Sequence, residues 1–514
     1  MSFRRLRGTW WVAPRKDDGT EVGGVLTIDA AGQVSLEVTS ALIDSGAGRR
    51  RLRSVDEPVV IHGAAEGEAV TLLGCTRTNG GAISVLPLRT EIQVFRADAA
   101  LIGCWLNSTN EAAFGGMRVE ISHLTQWAHH SGLSYDLVSE QPNSGKSTSF
   151  HTVDLRTVPT LEVELPDEEV TARLLWAQSF GPGGKENAWG RQHRVIERTV
   201  FEVRAATPRT ALGFQSVVRP MQNLLTAATQ SACAVGARHL IPILAYGEDE
   251  NSPRRDIELF FHGEEIAIKE ALQPHNLIFT LADIEIATTL PRWYELTRTI
   301  GAAIDVLFGL DYVTGGYYET ALFSAATAAE GIHSALIPGT TAIDTATHTA
   351  VKKLVRDALK SDTTIDDAAR NWASNKLGYN SPGLNQRLRE LAQLPDAEAV
   401  SDLLGDTETW ARWLTNARNA IGHGRSGAAR AKRAPEEAHY RLADITKHLL
   451  HLVLLSQMAR CGSSTAGSEA CVGLPSETIP HPRRGIEGIP ALTRPCRVAR
   501  LSEVDGSSHF LTTS

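Results

Sequence analysis

The apolar residues of this 514-residue chain change their period once, near residue 290, and that change constrains the fold more than any single motif. Before it they fall in short alternating runs cut by glycine turns: residues 9–12 ahead of Pro14, 25–28 ahead of Ala31-Gly32, 34–38, then 59–63 and 70–73 on either side of Glu66-Gly67. Side chains two apart share one face of a strand, so such runs build a half-buried antiparallel sheet, either a sandwich or an open barrel. Residues 100–106 and 117–121 continue it, and 124–127 reads as a short helical close. Further strands are expected over 161–165, 195–203, 240–246 and 257–261, with one helical stretch at 219–232. From Pro291 the recurrence lengthens to 3.6 residues. Trp293, Leu296, Ile300, Ile304 and Leu307 mark one helix and 317–336 a second; 350–359, 365–377, 384–394, 397–404, 406–421 and 435–459 follow. Strands followed by helices describe an α+β multidomain chain, an antiparallel β-rich N-terminal half and then an all-α bundle.

This length exceeds one core, and about three domains are expected. The divisions read as 1–150, 151–290 (a second β-rich segment or the remainder of the first domain), a helical domain over 291–460, and 461–514. The last stretch is rich in Gly, Ser, Thr and Pro without a period, and is expected to be a mostly disordered tail. No apolar run approaches the ~18–20 residues of a membrane span, so no membrane partner is expected. The basic N-terminus runs into strand-like sequence rather than a secretion signal. Six cysteines lack any C-x-x-C pair, which argues against a disulfide framework or zinc knuckle and for a reducing cytoplasm. A net charge of −8 does not suit a protein that coats nucleic acid constitutively, so any positive charge that meets RNA must be local.

Two glycine clusters suggest phosphate loops and fail on spacing. Asn143-Ser144-Gly145-Lys146-Ser147-Thr148 would need glycine where Glu140 stands, and strand rather than helix follows. The Gly181–Lys185 cluster has no fingerprint at all and reads as a flexible turn. His448 and His451, three apart on the last helix, have a spacing compatible with metal, but with no carboxylate or cysteine placed to complete a site they read as partly buried helix histidines. No cofactor is expected.

The stretch with chemistry in it is Thr-Asn-Ala-Arg-Asn-Ala-Ile-Gly-His-Gly, residues 415–424. It ends a helical segment with Trp410, Trp413, Leu414, Ala417 and Ile421 on its apolar side, Asp406 or Thr407 as N-cap, and Gly422 and Gly424 as breakers. Arg418 and His423 therefore stand on the last turn or just past it, roughly 7.5 Å apart along a continuing axis and about 140° around it. Arginine keeps its charge and offers a planar fork to phosphate oxygens, while histidine titrates near neutrality and can move a proton. Asn419 could hold a ribose hydroxyl or a phosphate oxygen. By itself the hexapeptide reads more simply as a solvated arginine and a dipole-favoured C-terminal histidine. Arg425, Arg430, Lys432 and Arg433 follow with no intervening acid, forming either a local RNA-binding patch or a solvated basic loop.

Arg418-x4-His423 resembles the R-x4-H signature of HEPN ribonucleases. A second resemblance lies at the other end of the chain. Gly8, Trp10 and Trp11, then 24–28, Ile61-His62-Gly63 and Thr71-Leu72-Leu73-Gly74-Cys75 look like the N-terminal domain of the ApeA family, which joins a β-rich region to a C-terminal HEPN domain in this order. Trp10 and Trp11 alternate in a strand, so one is expected in the core and the other could be exposed, with packing favoured over ligand stacking for both.

The resemblance implies a HEPN-type bundle and metal-independent cleavage of RNA, with His423 as general acid or base, Arg418 steadying phosphoryl charge and Asn419 positioning substrate. It also implies pairing of two motifs across a two-fold axis, hence at least a homodimer through the HEPN domain. An antiphage, abortive-infection toxin role follows, with tRNA as the expected target and a phage-encoded trigger as a partner. Glu330, in Ala328-Ala329-Glu330-Gly331, falls where related helices carry an acid; it could orient Arg418 or be an ordinary surface acid. The rival is a non-catalytic HEPN module, for dimerisation or nucleotide binding, attached to a β-rich recognition domain. A scaffold of that kind has no need of both Arg418 and His423. A carbohydrate-binding sandwich with a helical oligomerisation tail would leave the motif unexplained.

Overall fold

The computed structural model describes residues 3–14, 21–40, 42, 59–85, 88–140, 148–180, 185–187, 190–192, 195–243, 256–263, 266, 270–313, 315–362, 364–422 and 436–459. The chain forms two compact units, Met1–Glu295 with Asp311–Val313, and Leu296–Leu310 with Thr314–Ser514. Among the described residues no helix is long and apolar enough to cross a membrane.

In the first unit six strands, β1 (Arg4–Val12), β2 (Val22–Ile28), β3 (Val34–Val38), β4 (Val59–Ala65), β5 (Glu68–Val85) and β6 (Leu88–Ala97), lie in the order β5-β4-β1-β2-β3-β6, and β6 pairs back onto β5. The ring is therefore a closed antiparallel barrel, where the sequence suggested a sandwich or an open one. Closure depends on the 18-residue length of β5: its first half pairs with β4, as in Val70↔Gly63, and its second half with β6, from Thr76↔Arg96 to Val85↔Leu88. The β4–β5 hairpin turns on Glu66 and Gly67, both at positive φ (52° and 84°), the two-residue geometry whose twist matches that of the flanking strands.

Both tryptophans of β1 are buried, which fits the packing favoured for both, although alternation left one of them a candidate for the surface. Trp10 fills the barrel core opposite Gly63, where an added Cβ would lie 2.3 Å from its ring, so glycine there is a steric requirement. Trp11 points to the other face. It is covered by Trp105, whose ring stands 5.7 Å away and whose Nε1 donates to the Gly63 carbonyl at 2.9 Å.

Eleven more strands follow: β7 (Ala99–Ile102), β8 (Phe114–Ile121), β9 (Leu133–Glu140), β10 (Thr148–Leu155), β11 (Leu161–Leu165), β12 (Val170–Phe180), β13 (Lys185–Asn187), β14 (Gly190–Gln192), β15 (Val195–Arg209), β16 (Val235–Pro242) and β17 (Ile257–Phe261). β9–β10 and β13–β14 are separate hairpins, and the rest extend the barrel sheet in the order β7-β17-β16-β8-β15-β12-β11. Strands from either side of residue 150 thus share one sheet. Helix α1 (Leu124–Ala128) sits at the expected close, and α2 (Gln215–Thr229) runs from four residues before the expected start. Proline commonly opens a helix, but Pro220 lies inside this one; α2 ends at Gln230, which takes a left-handed φ of 50°. Met221 of α2 shares a small cavity with Val163, Leu174 and Phe201, which fixes that face of the sheet as apolar.

The opposite face carries a charged rung. Glu162, Arg173, Glu202, Arg118, His239 and Glu258 stand directly beside one another across β11, β12, β15, β8, β16 and β17. Opposite charges on paired strands favour this register over a slipped one. At the centre Glu202, with no exposed side-chain surface, accepts from Arg118 Nε at 2.5 Å, Arg173 Nη1 at 2.7 Å and Arg204 Nε at 2.7 Å.

Helix α3 (Ile286–Ile300) and helix α4 (Ala302–Tyr312) occupy the segment where one helix from Pro291 was expected. Gly301, at a φ of 62°, breaks the segment, because a left-handed residue ends the helical hydrogen-bond ladder. The second unit continues with α5 (Tyr318–Leu336), α6 (Thr345–Ser361), α7 (Asp367–Lys376), α8 (Leu384–Ala392), α9 (Ala397–Leu404), α10 (Thr407–Gly422) and α11 (Glu436–Ala459). Helix α5 is central, packing on α8, α10 and α11 through Ala325, Ala326, Ala328 and Ala329, whose small side chains let those neighbours approach. His451 is buried and stacks on Phe308 at 5.1 Å, and His448 Nδ1 meets the Asp444 carbonyl at 2.7 Å. Among the described residues no group of three His, Cys, Asp or Glu is arranged to hold a metal.

Candidate active site

Helix α10 starts on Asp406, whose Oδ2 accepts from Thr409 N at 2.9 Å and so caps an otherwise unpaired N–H. Its buried stripe is Trp410, Ala411, Leu414 and Ala417. Trp410 Nε1 donates to Thr446 Oγ1 at 3.1 Å, which satisfies the ring's polar atom inside the bundle. Trp413, assigned to the apolar side from the sequence, is 46% exposed because it falls beside that stripe rather than on it. Arg418 follows Ala417 directly, so it leaves the buried stripe at its edge and reaches toward α5.

Three groups hold the Arg418 guanidinium. Nη2 lies 3.4 Å from Glu330 Oε2, Nη1 lies 3.4 Å from Asn419 Oδ1, and Cζ stands 5.5 Å from the centre of the Phe323 ring. Phe323 and Glu330 are seven apart on α5, two turns along one face, so a single helix supplies both the ring and the carboxylate. Side-chain exposures of 26% for Arg418 and 32% for Glu330 leave the ion pair partly in water. Pairs of this kind contribute only about 0–1 kcal/mol, so the contact orients the fork more than it stabilises the fold. The end of α10 passes over the same ring: a Cβ on Gly422 would stand 3.6 Å from Phe323 Cε2. His423 is the next residue and lies outside the described residues, as do Arg425, Arg430, Lys432 and Arg433. The structure thus brings together Arg418, Asn419 and Glu330.

The exposed face of α5 runs on through Thr327 to Ser334. There Arg387 of α8 donates from Nη1 to Ser334 Oγ at 2.6 Å and toward the Glu330 carbonyl at 3.4 Å, while its Nε donates to Pro382 O at 3.1 Å. One turn below, buried His333 Nε2 meets Glu390 Oε2 at 2.5 Å and Gln386 Nε2 donates to Glu390 Oε1 at 2.8 Å. Burial would raise the Glu390 carboxyl, but the hydrogen bonds from His333 and Gln386 outweigh it and hold the group below the ordinary carboxylate range. Phe323 and Arg387 escaped the sequence reading. The seven-residue spacing from Phe323 to Glu330 is a signal that could have found the first, but nothing local marks Arg387.

Chemically, the described part of the site is an oriented guanidinium with a carboxylate on one side, an aromatic ring beside it and an amide oxygen at hand. It can grip a phosphoryl group through donors that Glu330 leaves unused.

Two family models match the chain, ApeA N-terminal domain 1 over residues 5–293 and Apea-like HEPN over residues 323–460. Neither a curated protein nor a solved structure matches it.

Proposed function

The chain belongs to the ApeA-like family, whose HEPN domain is a nuclease-type, RNA-related module of ApeA-like defence, and from that premise we propose that it is a metal-independent endoribonuclease of the abortive-infection kind. The observation that carries the proposal is the placement of Arg418 off the buried stripe of α10, held by Glu330 and Phe323 near the end of the helix; His423 follows it in sequence. In the proposed reaction the ribose 2′-oxygen bonds to the adjacent phosphorus and the P–O5′ bond breaks. One histidine takes the 2′-hydroxyl proton and a protonated one supplies a proton to the leaving 5′-oxygen. The products are a 2′,3′-cyclic phosphate and a 5′-hydroxyl. Arg418 holds the charge gathering on the non-bridging oxygens, and Asn419 positions the ribose or phosphate.

Two protons move at once in opposite directions, and one imidazole cannot start both neutral and protonated. This supports a site completed by a second copy of the motif, in a homodimer formed through the HEPN domain. The purified chain is expected to be at least dimeric by light scattering, with dimerisation mapping to residues 291–460. A monomer that cleaves RNA at full rate would contradict it. The basic residues Arg425, Arg430, Lys432 and Arg433 serve RNA binding, tRNA is the proposed substrate, and the β-rich half responds to a phage-encoded trigger in the cytoplasm.

The direct test is cleavage of purified tRNA with the ends of the products sequenced. Activity should persist in excess EDTA and leave cyclic phosphates. Loss on chelation that Mn²⁺ or Mg²⁺ restores would overturn the mechanism.

A further inference from the structure

We infer that Arg387 is a second phosphate-binding residue, one step along the RNA backbone from the phosphate gripped by Arg418. The inference rests on the nuclease reading above and names a contact which that reading does not contain.

Arg387 is fixed before any ligand arrives. Its Nε and Nη1 donate to Pro382 O, Ser334 Oγ and the Glu330 carbonyl at 3.1, 2.6 and 3.4 Å, so the planar group is already oriented. All three acceptors are neutral. Three other arginines of the same unit meet carboxylates, Arg370 with Asp367 at 2.8 Å, Arg389 with Glu408 at 3.2 Å and Arg418 with Glu330 at 3.4 Å, whereas Arg412 meets the Thr409 hydroxyl at 3.2 Å. Among the described residues no carboxylate neutralises Arg387. A pre-oriented guanidinium whose charge is unbalanced is what a phosphate oxygen needs, because the ordering cost is already met.

Its position selects the ligand. Arg387 and Arg418 touch opposite ends of one residue, Glu330, the first at its main-chain carbonyl and the second at its carboxylate. Two cations that meet at a single residue suit successive phosphates of a single strand. The exposed face of α5 from Phe323 to Ser334 carries both, with the Phe323 ring, 39% exposed, on the side of Arg418 away from Arg387. A ribonucleotide chain laid along that face would meet an arginine at each end and the carboxylate of Glu330 only beside Arg418.

The test is tRNA binding, read by anisotropy against salt in His423→Ala protein to suppress cleavage, together with steady-state cleavage by otherwise wild-type chains. Arg387→Ala should weaken binding roughly tenfold and reduce the salt slope by about 0.7, the value of one phosphate contact on a single strand. In cleavage the loss should fall mainly on KM. Arg387→Lys should keep the slope while recovering only part of the affinity, and Arg389→Ala, which removes an arginine already paired with Glu408, serves as the control. Circular dichroism establishes that each variant is folded. Arg387→Ala that matches Arg389→Ala in affinity and slope, in a protein that does cleave tRNA, overturns the inference and leaves the nuclease reading intact. Wild-type protein that neither binds nor cleaves RNA overturns both.

Discussion

His423→Ala protein should fold and bind RNA as the wild type does and turn it over ~10²–10⁴ times more slowly, the usual contribution of a general acid–base group. The loss should lie in kcat, since the imidazole acts on protons in transit and makes little of the ground-state contact. Arg418 should behave differently. Arg418→Lys keeps one positive charge but loses the planar fork, and it no longer matches the Glu330 carboxylate and Phe323 ring that orient the arginine. It should lose activity even though its charge is unchanged, by on the order of 10²-fold if the fork stabilises the transition state as an oxyanion donor does. Replacement of Arg425, Arg430, Lys432 or Arg433 should weaken binding and flatten its salt dependence while leaving the saturated rate near wild type. Folded His423→Ala protein that still cleaves at the wild-type rate would sink the catalytic assignment.

The parts of this molecule that sequence revealed are those set by local periodicity. The change of period at about residue 290 separated strands from helices, Asp406 announced the start of the motif helix, and Glu66-Gly67 announced a hairpin. Each of these is decided within a few residues. What escaped was decided by partners far along the chain. Barrel closure depends on the second half of β5, which lies beyond the alternating run at 70–73; pairing with β6 makes it strand. Alternation left one of Trp10 and Trp11 a surface candidate because it knows nothing of Trp105, which covers Trp11 from 94 residues on. The helix break at Gly301 was hidden because apolar residues keep their spacing through it. At the site, Arg418 and Asn419 were legible as a motif, and Glu330 was raised only by family resemblance. Phe323 and Arg387 become visible once α5, α8 and α10 are packed together.

Glu202 offers the largest expected effect on stability. Its carboxylate is fully buried beneath Arg118, Arg173 and Arg204, and each arginine loses an acceptor if it is removed. Breaking a buried ion pair from one side costs ~3–5 kcal/mol, because the remaining charges stay partly desolvated. Here the three arginines keep 27–37% of their side-chain surface, and Arg118 and Arg173 retain Asp256 and Glu162, so Glu202→Ala should fall near the lower end of that range. The pH dependence has a definite sign. Burial alone would raise the Glu202 carboxyl, but the hydrogen bonds and charges of Arg204 and Arg118 outweigh it and hold the folded-state value below the ordinary one. A carboxyl depressed in the folded state contributes stability that is full above its unfolded value of about 4.3 and is lost as pH falls through the folded value. Denaturant unfolding of the full chain, followed by tryptophan fluorescence, should therefore show the β-rich unit weakening in wild type as pH drops below about 4. Glu202→Gln should be less stable at pH 7 and should lose less on acidification, since it has no proton left to take up. An unchanged midpoint for Glu202→Ala at pH 7 would mean that the arginines re-solvate without cost, and that the rung sets strand register without stabilising the sheet.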